Sequence, residues 1–406
     1  MPAKFALHGP VTKNPGDFVT LPGSAFHVPV KGPPIGGPES WTKNDIIEHV
    51  KTGMKIELST MPIYFCALNS IHHDNGGWGT KARFNILAIA EQEMLHLALA
   101  GNMLASLGGS QPLYNHKFVP SYPSSILFDN VDMVLRPADK ENLECFLKLE
   151  APYMPSESDL LDMHHQAKAN NVAPTYMSIG QFYKELERGI QAVAQKDPDL
   201  FGGDVYHQFR GADFFDSNMT VITDKDSALK ALQTIVDQGE GSLGIPESHY
   251  ALFVELYQMR MNWKCINYID EPSTEKYWEN GNMVAFFLSL AVNASYCYLL
   301  QAIDRFREED LDSVSQTQLL RQIRRIMVAI LSPAMHALAG QEITPGRFAA
   351  PCFEFYPPYS EDCLTPSALF NALSALLEMA LGVAEDEAVK DEISKIVFSM
   401  SDLGPA

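Results

Sequence analysis

Apolar residues recur at helical spacing along most of the chain, and a few ionisable groups sit inside the apolar rows. The first such row, Val50, Met54, Glu57, Met61 and Tyr64, predicts a helix from Thr42 to about Asn69. Thr42 and Asp45 have the spacing of a capping box, with Asp replacing the usual Glu. Pro62 lies inside the run and removes one backbone bond, which predicts a kink one turn after Glu57. After Gly76, Gly77 and Gly79, the row Ile89, Glu93, His96, Ala100 and Met103 predicts a second helix from about Ala82 to Leu107, stopped by Gly108 and Gly109. A connection this short lets the two helices pair antiparallel.

Pro112, Pro120, Pro123 and Pro137 mark residues 110–136 as a long crossover along a bundle. A third helix starts near Ala138, and its stripe Leu143, Phe146 and Leu147 leads into Glu150 before Pro152 ends the run. Residues 151–177 read as irregular. The helix that follows, Ser178 to Gln195, has Ile179, Phe182, Tyr183, Leu186 and Ile190 on its apolar face and reads as an insertion, with Glu185 and Glu187 exposed. A mixed stretch ending in Gln238-Gly-Glu-Gly241 precedes a fourth bundle helix, on which His249, Leu252, Phe253 and Leu256 share one side. From about residue 272 three or four further helices follow: Met283–Ile303, Ser315–Ala339 and two near the C-terminus. The last, between Glu385 and Ser399, is amphipathic and acidic, and Thr344 to Pro358 is a loop. The expected organisation is all-α: an arm over 1–41, a four-helix bundle with long crossover loops over 42–270, and a helical extension over 271–406 packed on the bundle.

Glu57, Glu93, His96, Glu150 and His249 all fall on apolar faces of the four bundle helices. Glu93-Met-Leu-His96 is the sharpest signal, because residues three apart on a helix face the same way. One Glu-x-x-His pair arises easily by chance. Three apolar helices that each carry a central Glu would, without a cation, bury charge at a cost of several kcal/mol each. That set is what a carboxylate-bridged pair of iron or manganese ions requires. The usual bundle pattern places Glu-x-x-His on two helices, whereas Pro246 stands three residues before His249 here. Glu240 is the first candidate for the missing carboxylate and Glu247 the second, and Glu185 is a substitute for Glu150. Tyr64 and Tyr183 either line a pocket or pack the core. His72, His73 and Asp74, like His164 and His165, read as surface-turn residues. The sequence singles out no side chain as catalytic.

Charge narrows the partners. Fifty acidic against thirty basic residues give a formal charge of -20, which repels phosphate backbones and anionic lipid surfaces and leaves small molecules or proteins as partners. Six cysteines without close pairing read as reduced thiols, and the first twenty residues lack the apolar core of a signal peptide, so a cytoplasmic location is expected. Met283–Ile303 carries no formal charge and is long enough to cross a bilayer. Ser289, Asn293, Ser295 and Gln301 argue for a buried core helix instead, and no second candidate span is apparent. Phosphate-loop and nucleophile-elbow patterns are absent.

Several motifs resemble the ferritin-like domain of the iminophenyl-pyruvate dimer synthase family, which includes synthases of violacein and indolocarbazole pathways. They are Glu57-Leu-Ser-Thr-Met-Pro-Ile-Tyr64, Glu93-Met-Leu-His96-Leu-Ala98, Pro120-Ser-Tyr-Pro123, Phe146-Leu-Lys-Leu-Glu150-Ala-Pro152, Ser178-Ile-Gly-Gln-Phe-Tyr183, Gln238-Gly-Glu-Gly241 with His249-Tyr250, Asn293-Ala-Ser-Tyr296 and Ala350-Pro-Cys-Phe-Glu354. The resemblance implies a ferritin-like bundle with a dinuclear or mononuclear metal centre and an oxidative reaction on amino-acid-derived imines, a role in secondary metabolism. The expected function is a metal-dependent oxidoreductase with non-haem iron, or else manganese, that uses dioxygen on a small substrate and could form a homodimer. Two alternatives stand beside it: a ferritin-like metal oxidation or storage protein, and a metal-free helical interaction module in which Glu57 and Glu93 pair with Arg, Lys or backbone groups.

Overall fold

Helix α1, Lys43–Ser70, starts where the sequence places it. Thr42 and Asp45 cap each other reciprocally, and the helix runs through Pro62 without a break. A computed structural model describes residues 37–126, 131–152, 176, 178–215, 218–239, 247–358, 360–401 and 403. Helix α2, Trp78–Ser106, begins four residues before the predicted start. The reason is local: the Asp74 carboxylate accepts from the backbone amides of Gly79 (2.6 Å) and Thr80 (2.7 Å), so the turn residues cap the helix. Gly108, at φ +72°, ends it.

Helices α1 and α2 pack along one another. Around them lie α3 (Lys140–Leu149), α4 (Ile179–Lys196), α5 (Lys225–Gln238) and α6 (His249–Met259). Helix α4 packs on α1, α5 on both α2 and α4, and α6 on α2 and α3. The sequence reading passes over α5, although Asp224 and Ser227 form a capping box and Ala228, Ala231, Leu232 and Ile235 follow at helical spacing. Helix α4 is no exposed insertion: Glu185, expected at the surface, is fully buried and accepts from Arg188 at 2.8 Å. It is sandwiched between α1 and Trp41, which stacks on His49 with ring centroids 4.2 Å apart.

The extension holds α7 (Thr274–Glu279), α8 (Met283–Glu308), α9 (Ser313–Arg325), α10 (Ser332–Ala339), α11 (Pro366–Val383) and α12 (Glu387–Ser401). The predicted single helix over 315–339 is divided by a π-helical stretch, Ile326–Leu331. Strands contribute only two short antiparallel ladders among the described residues, β1 (Ser124–Ile126) with β2 (Val131–Met133) and β3 (Glu342–Thr344) with β4 (Arg347–Phe348).

Helix α8 is the uncharged segment, and 89% of its most apolar window is buried inside the protein. Several of its polar groups find partners inside the protein: Ser289 meets Thr274 at 2.7 Å, Asn293 donates to Glu354 at 2.9 Å, and Gln301 donates to the Leu364 carbonyl at 2.6 Å. One expectation fails here. Helix α11 is also long and apolar enough to cross a membrane, with only 28% of its window buried. The six cysteines are all free thiols.

Gly189 on α4 faces the Trp41 ring, and a Cβ there would overlap that ring. Gly189→Ala is therefore expected to lower stability by about 1–3 kcal/mol. Gly382→Ala on α11, where a Cβ meets nothing within 4 Å, is expected to leave stability unchanged or raise it by up to about 1 kcal/mol. Denaturant titrations of both variants check the pair.

Candidate metal centre

Glu57 lies mid-way along α1 and Glu93 and His96 lie mid-way along α2, so the longest helix pair brings three predicted residues together. Glu150 is the C-terminal cap of α3, and His249 is the first residue of α6, where Ser248 caps the helix. All five side chains are buried, with 0–3% of their surface exposed. They form two sets of ligand atoms, Glu57, Glu93 and His96 in one and Glu93, Glu150 and His249 in the other, each within 4.8 Å of one another. Glu93 belongs to both. Glu240 lies outside the described residues. Glu247 is exposed, which excludes it as a buried ligand, and Glu185 is occupied by Arg188 and belongs to neither set.

The carboxylates are held by hydroxyls. Tyr183 donates to Glu57, and Tyr64 donates to Glu150. Gly53, one turn before Glu57, leaves the room that the Tyr183 hydroxyl needs, since a Cβ there would come within 3.2 Å of it. Thr60 Oγ1 lies 2.9 Å from Glu93 Oε2 and 2.9 Å from the Glu57 carbonyl. Tyr64 and Tyr183 thus do more than pack the core or line a pocket: each fixes one carboxylate. Burial, with Glu150 and Glu93 nearby, holds the Tyr64 phenol well above its usual range, so it remains a donor.

The imidazoles are held by amides. His96 Nε2 lies 3.1 Å from Gln238 Oε1, and His249 Nε2 lies 2.8 Å from Gln92 Oε1. A carboxamide oxygen only accepts, so each Nε2 carries a proton and each ring turns its Nδ1 inward, towards the carboxylates. His96 Nδ1 is 3.5 Å from Glu57 Oε2 and 3.9 Å from Glu93 Oε1. His249 Nδ1 is 2.9 Å from Glu93 Oε1 and 3.5 Å from Glu150 Oε2, yet it makes no directed hydrogen bond. Two imidazole Nδ1 atoms converging on three carboxylates are placed where a cation could be held among them. The donor set, two imidazole nitrogens and three carboxylates, suits iron or manganese. Gln92 and Gln238 escape sequence reasoning because neutral side chains carry no buried-charge signal; the apolar period of α5, ending at Gln238, is the one available pointer.

Lys and Arg are absent from ion-pair distance of Glu57, Glu93 and Glu150 among the described residues. Burial, then the charges of Glu57 and Glu150, push the Glu93 carboxyl well above the ordinary carboxylate range. Burial also raises Glu57, but bonds from His96, Glu93 and Tyr183 outweigh it and leave that group below its usual value. Beside the cluster is a cavity of about 20 Å³, room for a water-sized ligand, walled on its other side by Ile179, Gly180, Ile235, Val236 and Gly239.

With this geometry, the chain belongs to the ferritin-like family, whose model matches residues 50–258, roughly half of it. Two curated relatives are similar over parts of their length. The 2-imino-3-(indol-3-yl)propanoate dimerase of Chromobacterium violaceum is 24% identical over 262 residues, which cover 56% of this chain and 24% of the relative. The dichlorochromopyrrolate synthase of Lentzea aerocolonigenes is 24% identical over an alignment covering 87% of this chain and 40% of that protein. The chain therefore spans less than half the length of either. A ferritin-like protein from Caulobacter vibrioides is a looser likeness, at 20% identity and a TM-score of 0.47 over 69% of this chain and 94% of that one.

The high Glu93 value sets a pH dependence for the metal-free protein. A carboxyl that holds its proton more tightly folded than unfolded weakens folding as pH rises above its unfolded value. Melts in chelator are therefore expected to show stability falling as pH rises above the ordinary carboxylate range. Glu93→Gln should flatten this slope and raise metal-free stability by about 1–3 kcal/mol near neutral pH.

Proposed function

We propose that this protein is a non-haem dimetal oxidoreductase, with iron as the resident metal and dioxygen as oxidant, acting on a small amino-acid-derived imine. The observation that carries the reading is the sharing of Glu93 between two ligand sets, each completed by one imidazole and one further carboxylate. The names of the two relatives, one a dimerase of an imino acid and the other a synthase, support an enzyme of secondary metabolism. A cytoplasmic location and a homodimer belong to the same proposal.

When bound, a metal pair of this kind supplies dioxygen binding and electron transfer. The chain's own residues do the rest. Glu57 and His96 would hold one ion and Glu150 and His249 the other, with Glu93 common to both sets. The Tyr183 and Tyr64 hydroxyls keep Glu57 and Glu150 from rotating away, and Gln238 and Gln92 keep each imidazole in the tautomer that presents Nδ1. Ile179, Ile235 and Val236 form an apolar wall that keeps bulk water from the cluster.

One observation favours a second reading. A cavity of about 20 Å³ admits dioxygen or water but no ring system as it stands, which suits metal oxidation of the ferritin kind, with ferrous ion itself as substrate.

Metal analysis of protein purified without chelator and loaded anaerobically with ferrous ion is expected to give about two ions per chain. Glu93→Ala should lose both, whereas His249→Ala should keep the Glu57–Glu93–His96 ion. Equal metal content in wild type and Glu93→Ala overturns the site. Oxygen uptake with the imine of an aromatic 2-oxo acid separates the readings: consumption that stops once ferrous ion is exhausted, whatever the organic substrate, supports the second. Tyr183→Phe is expected to weaken metal affinity about 10–100-fold in a chelator competition without unfolding the protein.

A further inference from the structure

Each of the two tyrosines that hold a carboxylate of the cluster also belongs to a group of packed rings, and the two groups differ. Tyr64, on Glu150, meets Phe146 edge-on at 4.8 Å and Phe253 at 5.4 Å, and those two phenylalanines meet each other at 5.0 Å. That triangle is closed: among the described residues it leads to no further tyrosine or tryptophan. Tyr183, on Glu57, packs edge-on against Phe182 at 5.2 Å. Phe182 stacks on His49 at 6.0 Å and His49 on Trp41 at 4.2 Å, with interplanar angles of 21° and 26°. Tyr176 braces this stack, edge-on to Phe182 at 5.3 Å and with its hydroxyl 3.2 Å from His49 Nε2. A row of rings therefore runs from a ligand of the cluster to Trp41, which lies between the exposed residues Ser40 and Thr42 at the start of α1.

Packing alone accounts for rings in a core, but the two ends of this row carry more than packing. Among ring side chains a phenol and an indole give up one electron most readily, and here one stands at each end with two rings between them. The Tyr183 phenol already donates to the Glu57 carboxylate, so its proton has a place to go when an electron leaves. Trp263 supplies the comparison. Like Trp41 it is buried, at 6% against 2% exposed, and like Trp41 its Nε1 has no hydrogen-bond partner among the described residues. It carries the Arg260 guanidinium over its ring at 5.2 Å and stands outside the row.

We infer that Trp41, His49, Phe182 and Tyr183 form a discharge path for the metal centre, used when dioxygen has oxidised the metals and no organic substrate is there to react. On the dimetal reading above, on which this path rests, the oxidised pair takes one electron from Tyr183 and the phenol proton passes to Glu57. Trp41 then gives one electron to Tyr183, which recovers its proton from Glu57. The pair ends reduced by one electron and Trp41 oxidised by one, as a cation radical that a thiol or ascorbate from solution reduces. Without such a reductant the indole radical loses a proton and combines with dioxygen, which leaves a covalent mark on that residue. The oxidising equivalent is released at the edge of the fold and the ligands Glu57, Glu93 and His96 are spared.

The full chain, loaded anaerobically with ferrous ion, is exposed to dioxygen with catalase present and neither substrate nor reductant, and its peptides are mapped by mass spectrometry. Oxygen adducts are expected on Trp41 and not on Trp263, and ascorbate is expected to suppress them. Trp41→Phe keeps a ring against His49 and should leave metal binding unchanged. It should also lengthen the life of a Tyr183 phenoxyl signal in freeze-quenched EPR spectra and move adducts to the peptides that carry Glu57, Glu93 and His96. Tyr183→Phe at saturating ferrous ion should abolish the Trp41 adducts, and Tyr64→Phe should leave them in place. Failure to bind metal overturns the dimetal reading and this inference together. Bound metal and oxygen uptake with Trp41 no more oxidised than Trp263 overturn the discharge path and leave the metal centre standing. So do Trp41 adducts that survive Tyr183→Phe, or that are lost equally in Tyr64→Phe.

Discussion

Three carboxylates gathered in a dry interior are the constraint around which this molecule is organised. Glu57, Glu93 and Glu150 come from three helices and are buried to the same degree, so each must be stripped of water and placed near like charge. Without a cation the cluster is kept tolerable by hydroxyl donors on Glu57, Glu150 and Glu93, and burial beside two other carboxylates favours the neutral form of Glu93. The scaffold that enforces the convergence is the long α1–α2 pair, whose apolar stripes bury far more surface than the few polar groups between them. Small helices then deliver the remaining ligands from their ends: the last turn of α3 and the first residue of α6. A helix terminus can be aimed with little change to the packing behind it, which suits a ligand that must meet a site fixed by others.

How much of this is legible in the sequence follows from where each group sits. Glu57, Glu93 and His96 lie mid-helix, where an acid in an apolar row has no route to water, and periodicity alone points them inward. Glu150 and His249 sit at helix ends, where solvation competes with burial, and only their apolar neighbours argue for the inward choice. Tyr64 and Tyr183 are visible as apolar-face residues, but what their hydroxyls touch depends on two other helices. Gln92 leaves no mark, and Gln238 shows only through its motif and the apolar period that ends at it, since an amide is cheap enough in either environment. Glu185 is misread for a different reason. Helix α4 is buried on two sides, by α1 and by Trp41, and a single apolar stripe gives no sign of a second covered face.

The extension is tied to the bundle through the crossover that joins α2 to α3. Asp304 on α8 accepts the backbone amides of Leu113 and Tyr114, both at 2.8 Å, and the Tyr114 hydroxyl donates to the Tyr356 carbonyl. Burial pushes Asp304 up to about 7 against the opposing pull of those amides. A group held at that expense fixes the crossover, and through it the approach of the chain to α3 and Glu150. The uncharged stretch of α8 therefore reads as core for a reason beyond hydropathy: its serine, asparagine and glutamine all have partners in the surrounding helices and loops, a pattern that lipid could not supply.

Two features of the cluster act in the same direction. Metal-ligating histidines are often backed by carboxylates, which strengthen the imidazole as a donor and add negative charge near the ion. Here the backing groups are amides, which orient the rings without adding charge. The glutamate expected before His249 is replaced by Pro246, which again withholds a negative charge. Either change alone could be a matter of packing. Together they would leave a bound metal pair less neutralised by the described residues than a four-carboxylate, carboxylate-backed site would, in a chain whose formal charge is -20. Long-range repulsion is screened within about 8 Å at physiological salt, whereas a deficit of one charge inside a dry cavity is not.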